Sequence, residues 1–226
     1  MIAALQRFVS LPLIVLFAAN LYPLYGVLER GWDVFELLFL FWAENVVIGL
    51  FNILKLLANR PRDPGINFAK LFFVPFFTVH YGMFTFAHGV FVIALFAPDA
   101  HHIQLYGPAG YFWHSNVLAN GVSTAITLLF ISHAVSFYVD YIRSGEFERT
   151  TLGTWMNEPY GRVVVLHLGL IGGGFLLSAL EQPTVGLIVL VFLKIGMDAR
   201  SLLHRRKRIE AAHRSPKKSA AFERTD

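Results

Sequence analysis

The sequence predicts an all-α integral membrane protein: a bundle of six transmembrane helices with both termini in the cytoplasm. Three observations carry the expectation. Of 226 residues, 55% are hydrophobic and only 15% charged, where a soluble domain usually has about 25% charged residues. Six apolar stretches each reach the roughly 20 residues that a helix needs to cross the hydrocarbon core, and in lipid a single segment satisfies its own backbone only as a helix. The Lys and Arg residues also fall almost entirely on one side of those stretches.

The first span covers about 8–28. Arg7 and the apolar run from Phe8 imitate a signal peptide, but apolar character continues through Leu21, Leu24, Val27 and Leu28. No small-x-small site ends it, so it reads as a retained helix. The second covers 34–57. The third, 68–97, is long enough to tilt or to extend beyond the bilayer. The fourth covers 119–142. The fifth and sixth, 162–181 and 184–203, are separated by a turn at Gln182 and Pro183 and form a helical hairpin. Residues 1–203 make one transmembrane domain, and the basic stretch 204–226 is a cytoplasmic tail without fixed structure.

With the N-terminus inside, every Lys and Arg of the nineteen except Arg30 lies at a cytoplasmic end or in the tail. The outer loop from Pro98 to Ala119 has neither residue. A different number of spans would destroy this asymmetry. The pattern places the protein in the cell membrane as a multi-pass protein among membrane lipids. The tail, with Arg205, Arg206, Lys207, Arg208, Lys217 and Lys218, then meets anionic headgroups. Nucleic acid is not expected as a partner, because no folded binding module accompanies these charges.

The absence of cysteine excludes disulfides, iron–sulfur clusters and thiolate metal sites. Neither a G-x-S-x-G elbow nor a P-loop occurs. Gly121-Val122-Ser123-Thr124 lacks the glycine after serine that a rhomboid-type intramembrane protease needs. His101, His102 and His114 lie in the outer loop among aromatic residues and read as part of an interfacial segment.

The chemistry resides in ionisable groups inside the spans, each of which costs roughly 2.5–3.5 kcal/mol on insertion scales and so defaults to function or to pairing. The second span carries Glu44, Asn45, Asn52 and Lys55; the third, His80, Tyr81 and His88; the fourth, His133, Ser136 and Asp140. The fifth carries His167 and the triplet Gly172–Gly174, and the sixth Lys194 and Asp198. Counting from the cytoplasmic ends at about 1.5 Å per residue sets His80 and His133 near mid-membrane, with Glu44 further out and His167 nearer the cytoplasm.

Three readings remain open. In the first, His80, His133 and His167 ligate a metal, and Glu44 is the catalytic base or a further ligand. Asn45, Asn52, Tyr81 and Ser136 then orient them. Zinc or iron suits that set, with haem between two imidazoles as a further option. In the second, the same groups line the path of a proton-coupled transporter or channel. In the third, they only fix helix packing. Lys194 and Asp198, four residues apart, read as a structural ion pair within one helix. No substrate follows from any of these patterns.

The stretches Glu44-Asn45-x-x-x-Gly49-x-x-Asn52-x-x-Lys55, His80-Tyr81-Gly82-x-Phe84-x-x-x-His88-Gly89 and Ser132-His133-x-x-Ser136-Phe137 occur in order with Pro159-Tyr160-Gly161-Arg162, Leu166-His167 and Gly172-Gly173. Together they resemble a family of prokaryotic polytopic membrane proteins known only as a domain of unknown function, over about residues 10–205. The resemblance implies that the intramembrane Glu, Asn and His positions belong to a family pattern; it brings no activity.

Overall fold

The computed structural model describes residues 2–60, 65–97, 118, 121–161, 163–164, 188, 191–196 and 200. The described residues are helical apart from their turns, with no strand among them. Helix α1 runs Ile2–Glu29, α2 Val34–Ala58 and α3 Gly65–Phe96. Helix α4, Val122–Ser136, continues without a break into a π-helical segment, Phe137–Arg143. Two short helices follow, α5 (Glu146–Arg149) and α6 (Leu152–Asn157), and residues 191–196 are again helical. Among the described residues three helices are long and apolar enough to cross a membrane: Val34–Ala58, Phe68–Phe96 and Val122–Arg143. Helix α1 contributes a further apolar stretch, Ile14–Glu29. The hairpin turn at Gln182 and Pro183, most of the fifth and sixth expected spans, the histidines of the outer loop and the basic tail lie outside the described residues.

Helix α2 begins where its sequence says it should. The Asp33 carboxylate accepts from the backbone N–H of Phe35 at 2.7 Å and of Glu36 at 3.4 Å, and Glu36 accepts in return from Asp33 N–H at 3.0 Å. This capping box satisfies donors that the first turn would otherwise leave open. Just before it, Trp32 folds back onto α1: its N–H donates to Gly26 O at 3.0 Å. Its ring occupies the space where a side chain on Gly26 would sit, since a Cβ there would come within 2.4 Å of it.

The six consecutive residues Val34–Phe39 already show the character of α2, because Phe35, Leu37, Leu38 and Phe39 are all buried, and Leu40 and Phe41 continue the run. The first two turns are thus buried on nearly every side, while further along Val46, Leu50, Leu54 and Leu57 leave one face exposed. Helix α2 packs against α3, α4 and α6, while α1 packs against α4.

The α2–α3 interface rests on two reciprocal contacts of an aromatic ring with a glycine. Tyr81 of α3 lies over Gly49 of α2, where a Cβ would come within 2.6 Å of the ring, and its hydroxyl donates to Asn45 O at 3.1 Å. Trp42 of α2 lies over Gly89 of α3, with a Cβ distance of 2.7 Å, and its indole N–H donates to Thr85 O at 2.7 Å. Small residues that let a large ring and a backbone approach are the usual currency of helix packing in lipid, where apolar burial supplies no net drive.

These contacts fix the register of two antiparallel helices. Position 49 lies level with 81 and position 42 level with 89. The Lys70 ammonium, which donates to Leu57 O at 3.2 Å, extends the same register. Helix α3 therefore overhangs the end of α2 by about 10 Å at 1.5 Å per residue.

The two contacts separate motif glycines that are needed from one that is not. Gly49→Ala should lower thermal stability in detergent by about 1–3 kcal/mol, the usual cost of overpacking. Gly82→Ala, where nothing lies within 4 Å of the added carbon, should be neutral or slightly stabilising. Equal effects at the two positions would contradict the ring-on-glycine register.

Candidate functional site

A buried charge cluster lies half-way along the bundle. Glu44 is about 15 Å from the start of α2, and His133 about 17 Å from the start of α4, by helical rise. Glu44 is only 3% exposed. One carboxylate oxygen, Oε2, lies 2.7 Å from the ammonium of Lys194, on the helical stretch 191–196. The other, Oε1, lies 3.6 Å from Nε2 of His133. The two oxygens are thus divided between two basic groups from two further segments.

Asn20 of α1 completes the arrangement. It is 2% exposed, and its Oδ1 accepts a hydrogen bond from Lys194 Nζ. Its amide N–H donates to Leu16 O at 3.0 Å, which turns the oxygen rather than the nitrogen toward the ammonium. The Lys194 ammonium also lies 5.5 Å from the centre of the Phe41 ring, a cation–π contact. His133 stacks on Phe51, with centroids 6.3 Å apart and planes at 27°. Four segments thus supply one polar centre in an apolar bundle.

Lys194 was expected to pair with Asp198 along its own helix. Asp198 lies outside the described residues, and the partner observed is Glu44, across the bundle. His167 also lies outside them.

His80 belongs to a different place. Its Nδ1 is 2.6 Å from the Tyr160 hydroxyl, its ring stacks on Phe76 at 5.2 Å, and Phe84 meets it edge-on at 5.1 Å. The register of α3 explains the separation. With position 81 level with 49, His80 lies about 9 Å from the level of Glu44 toward the α2 C-terminus. Counting inward from residue 68 hides this, because the start of α3 overhangs α2. Among the described residues no three of His, Asp and Glu come together as a metal-binding group.

The remaining polar positions are mostly structural ties. Asn45 donates to its own helix at Phe41 O, 2.8 Å away. Ser136 donates to Asp140 Oδ2 at 2.8 Å. His88, 4% exposed, lies 2.6 Å from Phe84 O through Nδ1; a carbonyl only accepts, so Nδ1 carries the proton.

Asn52, Lys55 and Asn59 strap the α5–α6 segment across the end of α2. Asn52 donates to Trp155 O at 2.9 Å, and the fully buried Asn59 donates to Phe147 O at 3.2 Å and Thr150 O at 2.8 Å. The Lys55 ammonium lies 4.4 Å from the Trp155 ring centre and 3.6 Å from Glu158. Tyr141, on the π-helical segment, donates to Lys55 O. Leu56, Phe77, Tyr141, Leu152, Trp155 and Met156 form the apolar filling beneath.

The site and its surroundings fall within one recognised pattern of sequence. The model of a family of unknown function, DUF6498, matches residues 3–217. The chain belongs to that family. No curated protein and no solved structure matches it. In this DUF6498 chain the residues that sequence reasoning missed are Asn20, Asn59, Tyr141 and Trp155. Asn20 left a signal, being the one carboxamide between Phe8 and Leu28; Asn59 and Trp155 lie between the expected spans, where the pattern describes no fold, and Tyr141 lies at the end of the fourth.

Removing the Asn59 carboxamide takes two hydrogen bonds from the cap and leaves Phe147 O with the Arg60 N–H alone, a loss of about 1–2 kcal/mol. Limited tryptic digestion of Asn59→Ala in detergent should then cut after the exposed Arg149 about tenfold faster than in the wild type, since about 1.4 kcal/mol is a factor of ten in the open population. An unchanged rate in a folded variant would mean that the strap does not hold the cap.

Proposed function

We propose that this protein is a proton-coupled transporter of the cell membrane whose working site is Glu44, Lys194, His133 and Asn20. In this reading the chain crosses the membrane six times with both ends in the cytoplasm, supported by the one-sided placement of Lys and Arg. The tail rests on anionic headgroups.

The observation that carries the reading is a single buried carboxylate divided between an ammonium at 2.7 Å and an imidazole at 3.6 Å. With His133 neutral, Glu44 and Lys194 balance each other. A proton arriving on His133 adds a positive charge beside the carboxylate and competes with Lys194 for it. In a low dielectric neither cation tolerates the loss of its partner, so the proton changes which helix Glu44 holds. A switch of that kind couples protonation to helix position.

The same geometry disfavours a metal enzyme centred on Glu44. The carboxylate already has a cation, and His80 is engaged with Tyr160 at another level. A purely structural role for the cluster predicts loss of stability on mutation and nothing else.

Wild-type protein in liposomes loaded with a pH-sensitive dye should change the internal pH when a solute from a panel of organic acids, amino acids, sugars and cations is added outside. Glu44→Gln, inserted and folded, should abolish the change, and His133→Ala should shift its pH dependence. Proton movement with no solute of the panel, or an unchanged rate in Glu44→Gln, would contradict the reading.

A further inference from the structure

Helix α3 carries an aromatic ladder on its exposed side, with one polar rung. Phe72, Phe76, His80 and Phe84 follow at four-residue spacing, which places them one above another on a helix. Phe72 and Phe76 stack at 5.7 Å with planes 17° apart, and Phe76 and His80 stack at 5.2 Å and 11°. Phe84 stands at 67° to the imidazole and makes a wall beside it. Phe72, Phe76 and Phe84 are 65%, 43% and 38% exposed, so the ladder faces outward from the bundle.

Tyr160 fixes the chemistry of the polar rung. Burial raises its phenol above the ordinary phenol range, so the hydroxyl keeps its proton and can donate to His80 Nδ1 at 2.6 Å. A phenol can donate or accept at this distance; in the arrangement where it donates, on which the proposal below rests, the imidazole proton resides on Nε2. His80 makes no other hydrogen bond among the described residues. An N–H donor on a half-buried ring, set among lipid-facing aromatics, is costly unless an acceptor reaches it.

We propose that this face of α3 binds the ring of a lipid-soluble quinone-type molecule. Both faces of Phe76 are taken by Phe72 and His80, so the ring lies against the outer edges of Phe76 and Phe84, and a ring carbonyl accepts the hydrogen bond from His80 Nε2. The aromatic surfaces favour a flat ring over an acyl chain, and a donor without a charge favours a neutral carbonyl over a phosphate or carboxylate. Tyr160 is a positioning residue here: it sets the tautomer that presents the donor. The site shares no residue with the Glu44 cluster and stands or falls separately from the proton-coupled reading.

The test uses the full chain in lipid nanodiscs with a labelled decyl-substituted benzoquinone, and decylbenzene as the comparator without carbonyls. Wild type should bind the quinone saturably at one per chain and decylbenzene at least tenfold more weakly. His80→Phe should weaken quinone binding about tenfold, and Tyr160→Phe and Phe76→Leu several-fold. His80→Asn, which keeps an N–H donor, should recover part of the loss. Glu44→Gln should bind as the wild type does, which keeps this outcome apart from the transport assay. Partitioning that never saturates and equals that of empty nanodiscs, as expected where a lipid ester carbonyl alone answers the imidazole, would overturn the proposal. Equal affinity for decylbenzene, or for His80→Phe, would also overturn it.

Discussion

A carboxylate in the middle of an apolar bundle must find a cation, and that requirement organises this protein. Glu44 lies on the most buried helix, 3% exposed, so water cannot solvate it. Leaving such a charge unpaired would cost several kcal/mol even after relaxation. The Lys194 ammonium at 2.7 Å meets the need from another segment. Asn20 then answers the ammonium from α1, and His133 answers the second carboxylate oxygen from α4. One charge pair thus ties α1, α2, α4 and residues 191–196 to one level of the bundle. Its position also suits it to the proposed function, because among the described residues the group beside it that titrates near neutral pH is the His133 imidazole.

Around this centre the polar and small residues of the sequence motifs divide by role. Gly49 and Gly89 receive the rings of Tyr81 and Trp42 and set how α3 slides along α2. Asn52, Lys55 and Asn59 hold the α5–α6 cap over one end. The π-helical segment after α4 serves the same end by bringing Tyr141 to Lys55 O and against the Trp155 ring at 5.0 Å. Between cap and charge cluster stand Phe51, Phe137 and Tyr141, in ring contact at 5.8 and 5.4 Å. The apolar layer separates the charges from the capped end, and it is built from rings rather than aliphatic chains.

Much of the arrangement was legible in the sequence, and the limits are physical. Hydropathy and the length of apolar runs located α2, α3 and α4 to within a few residues, since a span must match the hydrocarbon thickness. Helical spacing set His133 near mid-membrane with Glu44 further out; their side chains lie 3.6 Å apart, since both helices start at the same end of the bundle. It failed for His80, because depth counted along one helix assumes that its first turn lies at the membrane edge, and α3 starts beyond the end of α2. Spacing along a helix also favoured Asp198 as the partner of Lys194; it has no means of registering a carboxylate on another helix. Asn20 was overlooked as a lone polar residue in an apolar run, although a lone carboxamide in a span is where an interhelical hydrogen bond should be sought. The cap residues were out of reach, since loops between spans have no periodicity to read.

The measurement that bears most directly on this account is a double-mutant cycle of thermal stability on Glu44→Gln, Lys194→Met and the combined variant in detergent. If the two charges hold each other, each single variant strands a buried partner and loses about 3 kcal/mol, while the combined variant returns to within about 1 kcal/mol of the wild type. Losses that simply add in the combined variant would show that Glu44 and Lys194 act independently, and the account built on their pairing would fail.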